Sequence, residues 1–148
     1  WFGERTHVAF IARLAIVGFD PEVDHVVSRV TPEGNVRGGF IYTNYTGRTV
    51  QMHFAGVDRK WGTPELAWAA FDFPFNALKV EEIIGMISSN NQWSLGVAYK
   101  AGFTPLVTIP RVVRGGDMKV LSMKREQCTW LALGARYAQN NDTTAQAA

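Results

Sequence analysis

The sequence predicts a single mixed α/β domain, a central β-sheet with helices on both faces. Three observations carry this. Residues 24–57 hold three β-favouring runs separated by turn formers. Residues 49–101 then read strand, loop, helix, strand, helix, the order of a right-handed parallel crossover. Residues 105–123 close the pattern with a hairpin. The 148 residues, 47% of them hydrophobic, are enough for one domain with a real core. No linker or repeat divides residues 1–139, and residues 140–148, small and polar, read as a disordered tail.

The elements follow in order. Val8, Ile11 and Leu14 recur at helical spacing before Gly18, which predicts a helix over residues 7–17, with a strand over 14–19 as the alternative. Residues 24–31 and 35–45 form a hairpin around Pro32, Glu33 and Gly34. Gly38 and Gly39 suggest a bulge in its second strand. A turn over residues 44–48 leads into a strand over 49–57. There Val50, Met52 and Phe54 point one way, and Gln51, His53 and Ala55 the other. Thr63 as N-cap, Pro64 at the first helical position and Glu65 beside the positive helix end open a helix over Pro64–Asp72. Its packing side carries Leu66, Ala67, Ala70 and Phe71. Pro74 should end it, because the residue before a proline is pushed out of the helical region. Residues 80–87 are apolar enough for an inner strand covered on both faces. Polar residues 88–91 then cap a helix over Gln92–Ala101, which Gly102 closes. Strands over 105–113 and 118–123, joined by a turn at 114–117, precede a last helix over 125–139.

Composition excludes several functions. A net charge of +2 is too small to drive nucleic-acid binding by bulk electrostatics. The single cysteine, Cys128, permits no internal disulfide. The histidines His7, His25 and His53 are scattered, so no metal site is expected. The absence of a long apolar run or a secretion signal gives the expectation of a cytoplasmic protein with no membrane partner.

The chemistry concentrates between Val57 and Leu66. Arg59 and Lys60 supply two cations, and Gly62 a flexible residue, just before a helix N-terminus. Such a terminus presents unpaired N–H groups and partial positive charge, and so favours phosphate. An ordinary capped strand-to-helix loop has the same local pattern, and residues alone leave both readings open.

Two motifs in sequence carry a resemblance. Arg59, Lys60, Trp61, Gly62, Thr63 and Pro64 stand where a pyrophosphate loop reads Gln/Arg-x-x-Gly-x-Gly/Ala. Asn91 to Ser94, then Tyr99, Lys100, Gly102 and Phe103, stand where a later block reads Asn-x-x-Ala and Tyr-x-Lys-x-Gly-Phe. In these motifs and their separation, residues 35–135 resemble the acyl-CoA-binding half of the GNAT N-acyltransferases, of the kind often encoded by phages and prophages. The resemblance implies acetyl-CoA, its pantetheine arm lying between two splayed parallel strands near Val57 and Lys79. It implies backbone contacts from Phe54, Ala55 and Val57. It implies a pyrophosphate held by Arg59, Lys60, Trp61, Gly62 and Thr63, with Trp61 either stacked on adenine or an exposed anchor. Asn91 would bond near the pantetheine, and Lys100 would lie towards the nucleotide end. A primary amine would attack the thioester directly, with His53 as candidate base and Tyr99 as candidate acid. Tyr42 and Tyr45 could line the acceptor pocket, while Trp93, Trp130 and Cys128 read as core. The acceptor could be a small molecule or a protein, including a host protein, and a homodimer is possible.

Two positions depart from the family pattern. Pro64 removes one N–H from the phosphate cradle. Counting back from Gly102 and Phe103, the family's tyrosine falls on Ala98, one residue before Tyr99. Either the helix shifts locally or the usual general acid is absent. The family's opening strand and two helices need more residues than precede Asp24, so this part is expected to be reduced or truncated. These departures keep a second reading open, a degenerate GNAT-fold protein that binds or regulates a host protein. A third is an unrelated α/β domain.

Overall fold

The computed structural model describes residues 11, 15, 18, 20, 22–134 and 136. Its strands are β1 (His25–Val30), β2 (Val36–Thr43), β3 (Thr49–Gly56), β4 (Glu82–Ser88), β5 (Thr104–Val113) and β6 (Gly116–Lys124). They form one sheet in the order β1-β2-β3-β4-β6-β5. Helix α1 (Pro64–Asp72) links β3 to β4, and α2 (Gln92–Ala101) links β4 to β5. The β3–β4 pair is parallel and every other pair antiparallel.

Alternation along the strands sorts the core into two layers. Val27, Tyr42, Val50, Met52, Ile83, Leu121 and Met123 pack against Leu66 and Phe71 of α1 and against Leu95 and Ala98 of α2. Each large aliphatic side chain buried in this way contributes about 1.5–3 kcal/mol. The other face carries Val26 and Ile41, which pack with Ile11, itself helical and fully buried. Gly39 permits that approach, since a Cβ there would come within 2.6 Å of the Ile11 side chain. α1 and α2 therefore cover the first face, and the helical residue Ile11 packs on the second. Of the helix expected over residues 7–17, Ile11 and Ala15 are helical and the remainder lies outside the described residues, as does the expected tail over 140–148.

The hairpins and both central helices form where the sequence places them. The expected bulge falls at Arg37, beside Gly38: Arg29 pairs with Gly38 and Val30 with Val36. Two expectations are corrected. Pro74 does not stop the chain from coiling. Phe73 stays helical, and the run continues through one wider turn, Phe73–Ala77, in which Leu78 N–H donates to Phe73 O at 3.1 Å. Proline lacks the donor for the regular ladder, and lengthening the hydrogen-bond step accommodates that loss. Of the helix expected over residues 125–139, the stretch to Leu133 is instead two short 3₁₀ segments, Arg125–Gln127 and Thr129–Leu133, separated by an extended Cys128; Gly134 and Arg136 are helical, and the other residues of that span lie outside the described residues. Lys124 N–H donates to the Gln127 side chain, which closes the first turn locally, and Trp130 Nε1 donates to Ala101 O at 2.9 Å. Tertiary anchoring of Trp130 takes precedence over helical propensity here.

Candidate functional site

β3 and β4 pair only at Thr49–Glu82, Val50–Ile83 and Gln51–Ile84. Beyond that point β3 stays paired with β2 through Gly56, and β4 stays paired with β6 through Ser88. Each strand is held by its outer neighbour while their shared edge opens. Residues 52–56 give about 16 Å of strand along the opening. Backbone groups along such an edge lack strand partners, so they are available to a ligand.

Alternation decides which groups face it. Val57 N–H donates to Arg37 O at 3.0 Å. In an antiparallel ladder every second residue bonds the same neighbour. Ala55 and His53 are thereby directed to β2, and Phe54 and Gly56 turn their backbone groups into the opening. Of the expected trio of Phe54, Ala55 and Val57, only Phe54 turns its backbone groups into the opening, and Gly56, not among those expected, does the same.

The loop over residues 58–63 stands at the open end. Asp58 organises it: its Oδ1 accepts from Lys60 N–H at 2.8 Å, its carbonyl from Trp61 N–H at 3.4 Å, and its carboxylate pairs with Arg37. Thr63 caps α1, with Oγ1 accepting from Leu66 N–H at 3.2 Å. The N–H groups of Arg59, Gly62, Thr63 and Glu65 have no protein partner among the described residues, and the Arg59 and Lys60 side chains are exposed. These donors and cations can hold an anion. Trp61 corrects both expectations made for it. Its ring is only 6% exposed, stacks on Phe54 and packs on Phe40, so it is neither an adenine platform nor an exposed anchor.

The opposite wall belongs to α2. Asn91 Oδ1 caps the helix by accepting from Ser94 N–H at 3.1 Å, which leaves the carboxamide Nδ2 as a donor without a partner among the described residues. Trp93 is 55% exposed, and its ring lies 6.3 Å from Phe54 across the opening. Trp93 is thus not the core residue expected of it: an amphipathic pattern does not report a gap between strands.

The later half of α2 corrects two more expectations. The helix is regular, with Ala98 inward at 5% exposed and Tyr99 outward at 44%. No local shift brings Tyr99 to the inward position that Ala98 holds. Lys100 lies nine residues beyond Asn91, about 13 Å along the axis. That end of α2 sits by Met123, which pairs with Ile83 at the closed end of the opening. Lys100 is therefore far from the cationic loop, where it complements the helix C-terminus.

His53 lies on the face opposite α1 and α2, two residues beyond the last β3–β4 pair. Its Nε2 is 3.0 Å from Thr43 Oγ1. Burial lowers its pKa below the ordinary 6.5, opposed in part by the Asp24 carboxylate, which keeps the imidazole neutral near pH 7. A cavity of about 790 Å³ opens beside it, lined by Asp24, Thr43, Tyr45 and Gln51 among others. Tyr42 does not reach this cavity: it is buried on the helix face and donates to Ala70 O at 2.6 Å.

No family model and no curated protein matches the sequence. Solved structures do match. A single-site variant of the spermidine N-acetyltransferase SpeG from Vibrio cholerae superposes with a TM-score of 0.70 at 15% identity, covering 88% of this chain and 94% of that one. The spermidine/spermine N-acetyltransferase SpeG from Vibrio cholerae in complex with manganese ions gives 0.67 at 15%, covering 84% and 90%. A chimera of SpeG from Vibrio cholerae and hSSAT gives 0.68 at 15%, covering 85% and 94%. The fold is that of the GNAT acetyltransferases. At this identity the likeness is one of fold, and a function for this GNAT-fold chain has to be argued from its own site.

Proposed function

We propose that this protein is an acyl-CoA-dependent N-acetyltransferase acting on a primary amine. The observation that carries the proposal is the β3–β4 opening, which ends at a loop with free N–H groups and two exposed cations. An acyl thioester with a long amide-bearing arm and a pyrophosphate matches both parts of this arrangement. Acetyl-CoA would supply the acyl group. Phe54 and Gly56 would bond the arm through their backbone, Asn91 Nδ2 would donate from the other wall, and the loop would hold the phosphates. The acceptor would enter by the cavity on the other face, where His53 takes a proton from the attacking nitrogen. Small amines such as the spermidine in the names of the solved relatives are the first acceptors to test, and protein amines, a host protein's included, the second. A phage or prophage origin, a cytoplasmic location and a homodimer belong to this reading as expectations from the sequence.

Calorimetric titration with acetyl-CoA, against CoA and ATP as controls, tests the first half. Release of free thiol from acetyl-CoA in the presence of an amine panel tests the second. Saturable binding and amine-dependent thiol release are expected; no binding at millimolar ligand would refute the reading. Ala98 at the inward position of α2 favours a second reading, a protein that binds acyl-CoA without turnover. Tight binding with no thiol release from any amine would select it.

A further inference from the structure

Arg29, on β1 and more than thirty residues before the carbonyls it reaches, donates from one guanidinium nitrogen to two successive ones, Lys60 O at 2.8 Å and Trp61 O at 3.2 Å. A trans peptide points its N–H away from its own C=O. Fixing the Trp61 carbonyl therefore fixes the direction of the Gly62 N–H, away from Arg29 and without a protein partner among the described residues. The Trp61 side chain holds the same peptide from the other end. Gly38 and Gly56 are direct cross-strand partners, and the indole lies over both. A Cβ on Gly56 would stand 2.0 Å from the indole, and one on Gly38 would stand 2.7 Å from it.

We infer that Arg29 and the Trp61–Gly38–Gly56 slot are positioning elements that set the Gly62 N–H, and with it the anion-holding shape of the loop, before any ligand arrives. This rests on the acyl-CoA reading above. It also accounts for how a cradle that has lost one donor at Pro64 can function: the remaining donors are held in place, so less ordering is needed on binding.

The test compares acetyl-CoA with acetyl-pantetheine, which has the thioester and arm but no pyrophosphate, in wild type, Arg29→Gln, Arg29→Lys and Trp61→Phe. Wild type should prefer acetyl-CoA strongly in kcat/KM. Arg29→Gln should raise KM for acetyl-CoA about tenfold, with kcat and the acetyl-pantetheine kinetics within about twofold. Arg29→Lys, which keeps a charged donor, should recover part of the loss. Trp61→Phe keeps a ring in the slot and serves as the second probe if Arg29→Gln folds poorly; it should raise the same KM selectively. Equal loss on both substrates, or no loss on acetyl-CoA, in soluble folded variants would overturn the positioning role. If wild type itself does not distinguish the two substrates, the phosphate-loop reading fails, and the positioning role fails with it for that separate reason.

Discussion

The two walls of the β3–β4 opening are built differently. The β3 wall ends in a loop held by residues from two other strands: Arg29 reaches its carbonyls, Arg37 reaches its carboxylate, and Gly38 makes room for its indole. The β4 wall ends in a helix capped by its own neighbour in sequence, with Asn91 bonding Ser94. The first wall is cationic and tertiary, the second neutral and local. Phosphate needs donors and charges in fixed directions, which long-range contacts enforce. An amide-bearing arm needs one donor and an apolar surface, which a capped helix and Trp93 supply. Function at the loop should therefore be sensitive to distant substitutions, and function at the α2 wall only to local ones.

The comparison can be broken at several points. His53→Gln, at the closed end of the β3 wall, should lower kcat about 10²- to 10³-fold in a steady-state acetyl-transfer assay with little change in acetyl-CoA affinity. In wild type the acidic limb of the rate profile should fall at a pH below 6.5, because burial lowers the His53 pKa, and that limb should vanish in the variant. The same shift acts on stability. On acidification the unfolded chain protonates this histidine first. The contribution is thus present above pH 6.5 and is lost as pH falls through the folded value, which urea titrations across that range would read.

Gly56→Ala forces the indole out of its slot. It should cost about 1–3 kcal/mol in chemical denaturation and also weaken acetyl-CoA binding. Retained affinity would mean that the loop keeps its shape without the slot. On the other wall, Asn91→Ala should cost about 1 kcal/mol of stability through the lost cap and raise KM only a few-fold. The smallest effects are expected at Tyr99→Phe and Lys100→Gln, with kinetics within about twofold of wild type, since both side chains are exposed on the later half of α2. A large loss at Tyr99 would show that α2 presents its outer surface to the thioester after all.

Much of this architecture was legible because the signals are local. Thr63, Pro64 and Glu65 announce α1, Gly102 closes α2 in the left-handed region, and the alternation around His53 assigns the two faces of β3. What was illegible depends on distant partners. Nothing near Trp61 reports that two glycines on adjacent strands lie beneath its ring, and nothing near Arg29 points to carbonyls a sheet-width away. The backbone groups facing the opening were missed for a related reason: strand alternation gives side-chain faces, whereas the direction of N–H and C=O depends on which neighbour claims each residue. The break in coiling at Cys128 and the wider helical turn over Phe73–Ala77 were likewise set by packing and hydrogen bonding that no periodicity encodes.

The glycine slot also constrains how this sequence can vary. Positions 38, 56 and 61 behave as one unit, because a side chain at either glycine and an indole at position 61 cannot coexist in this backbone. Divergent homologues that keep a tryptophan there must keep both glycines, and those that lose it are released at both. The three positions should therefore covary across an alignment even where overall identity is low, and such a correlated triplet would trace this loop design through relatives that pairwise similarity does not connect.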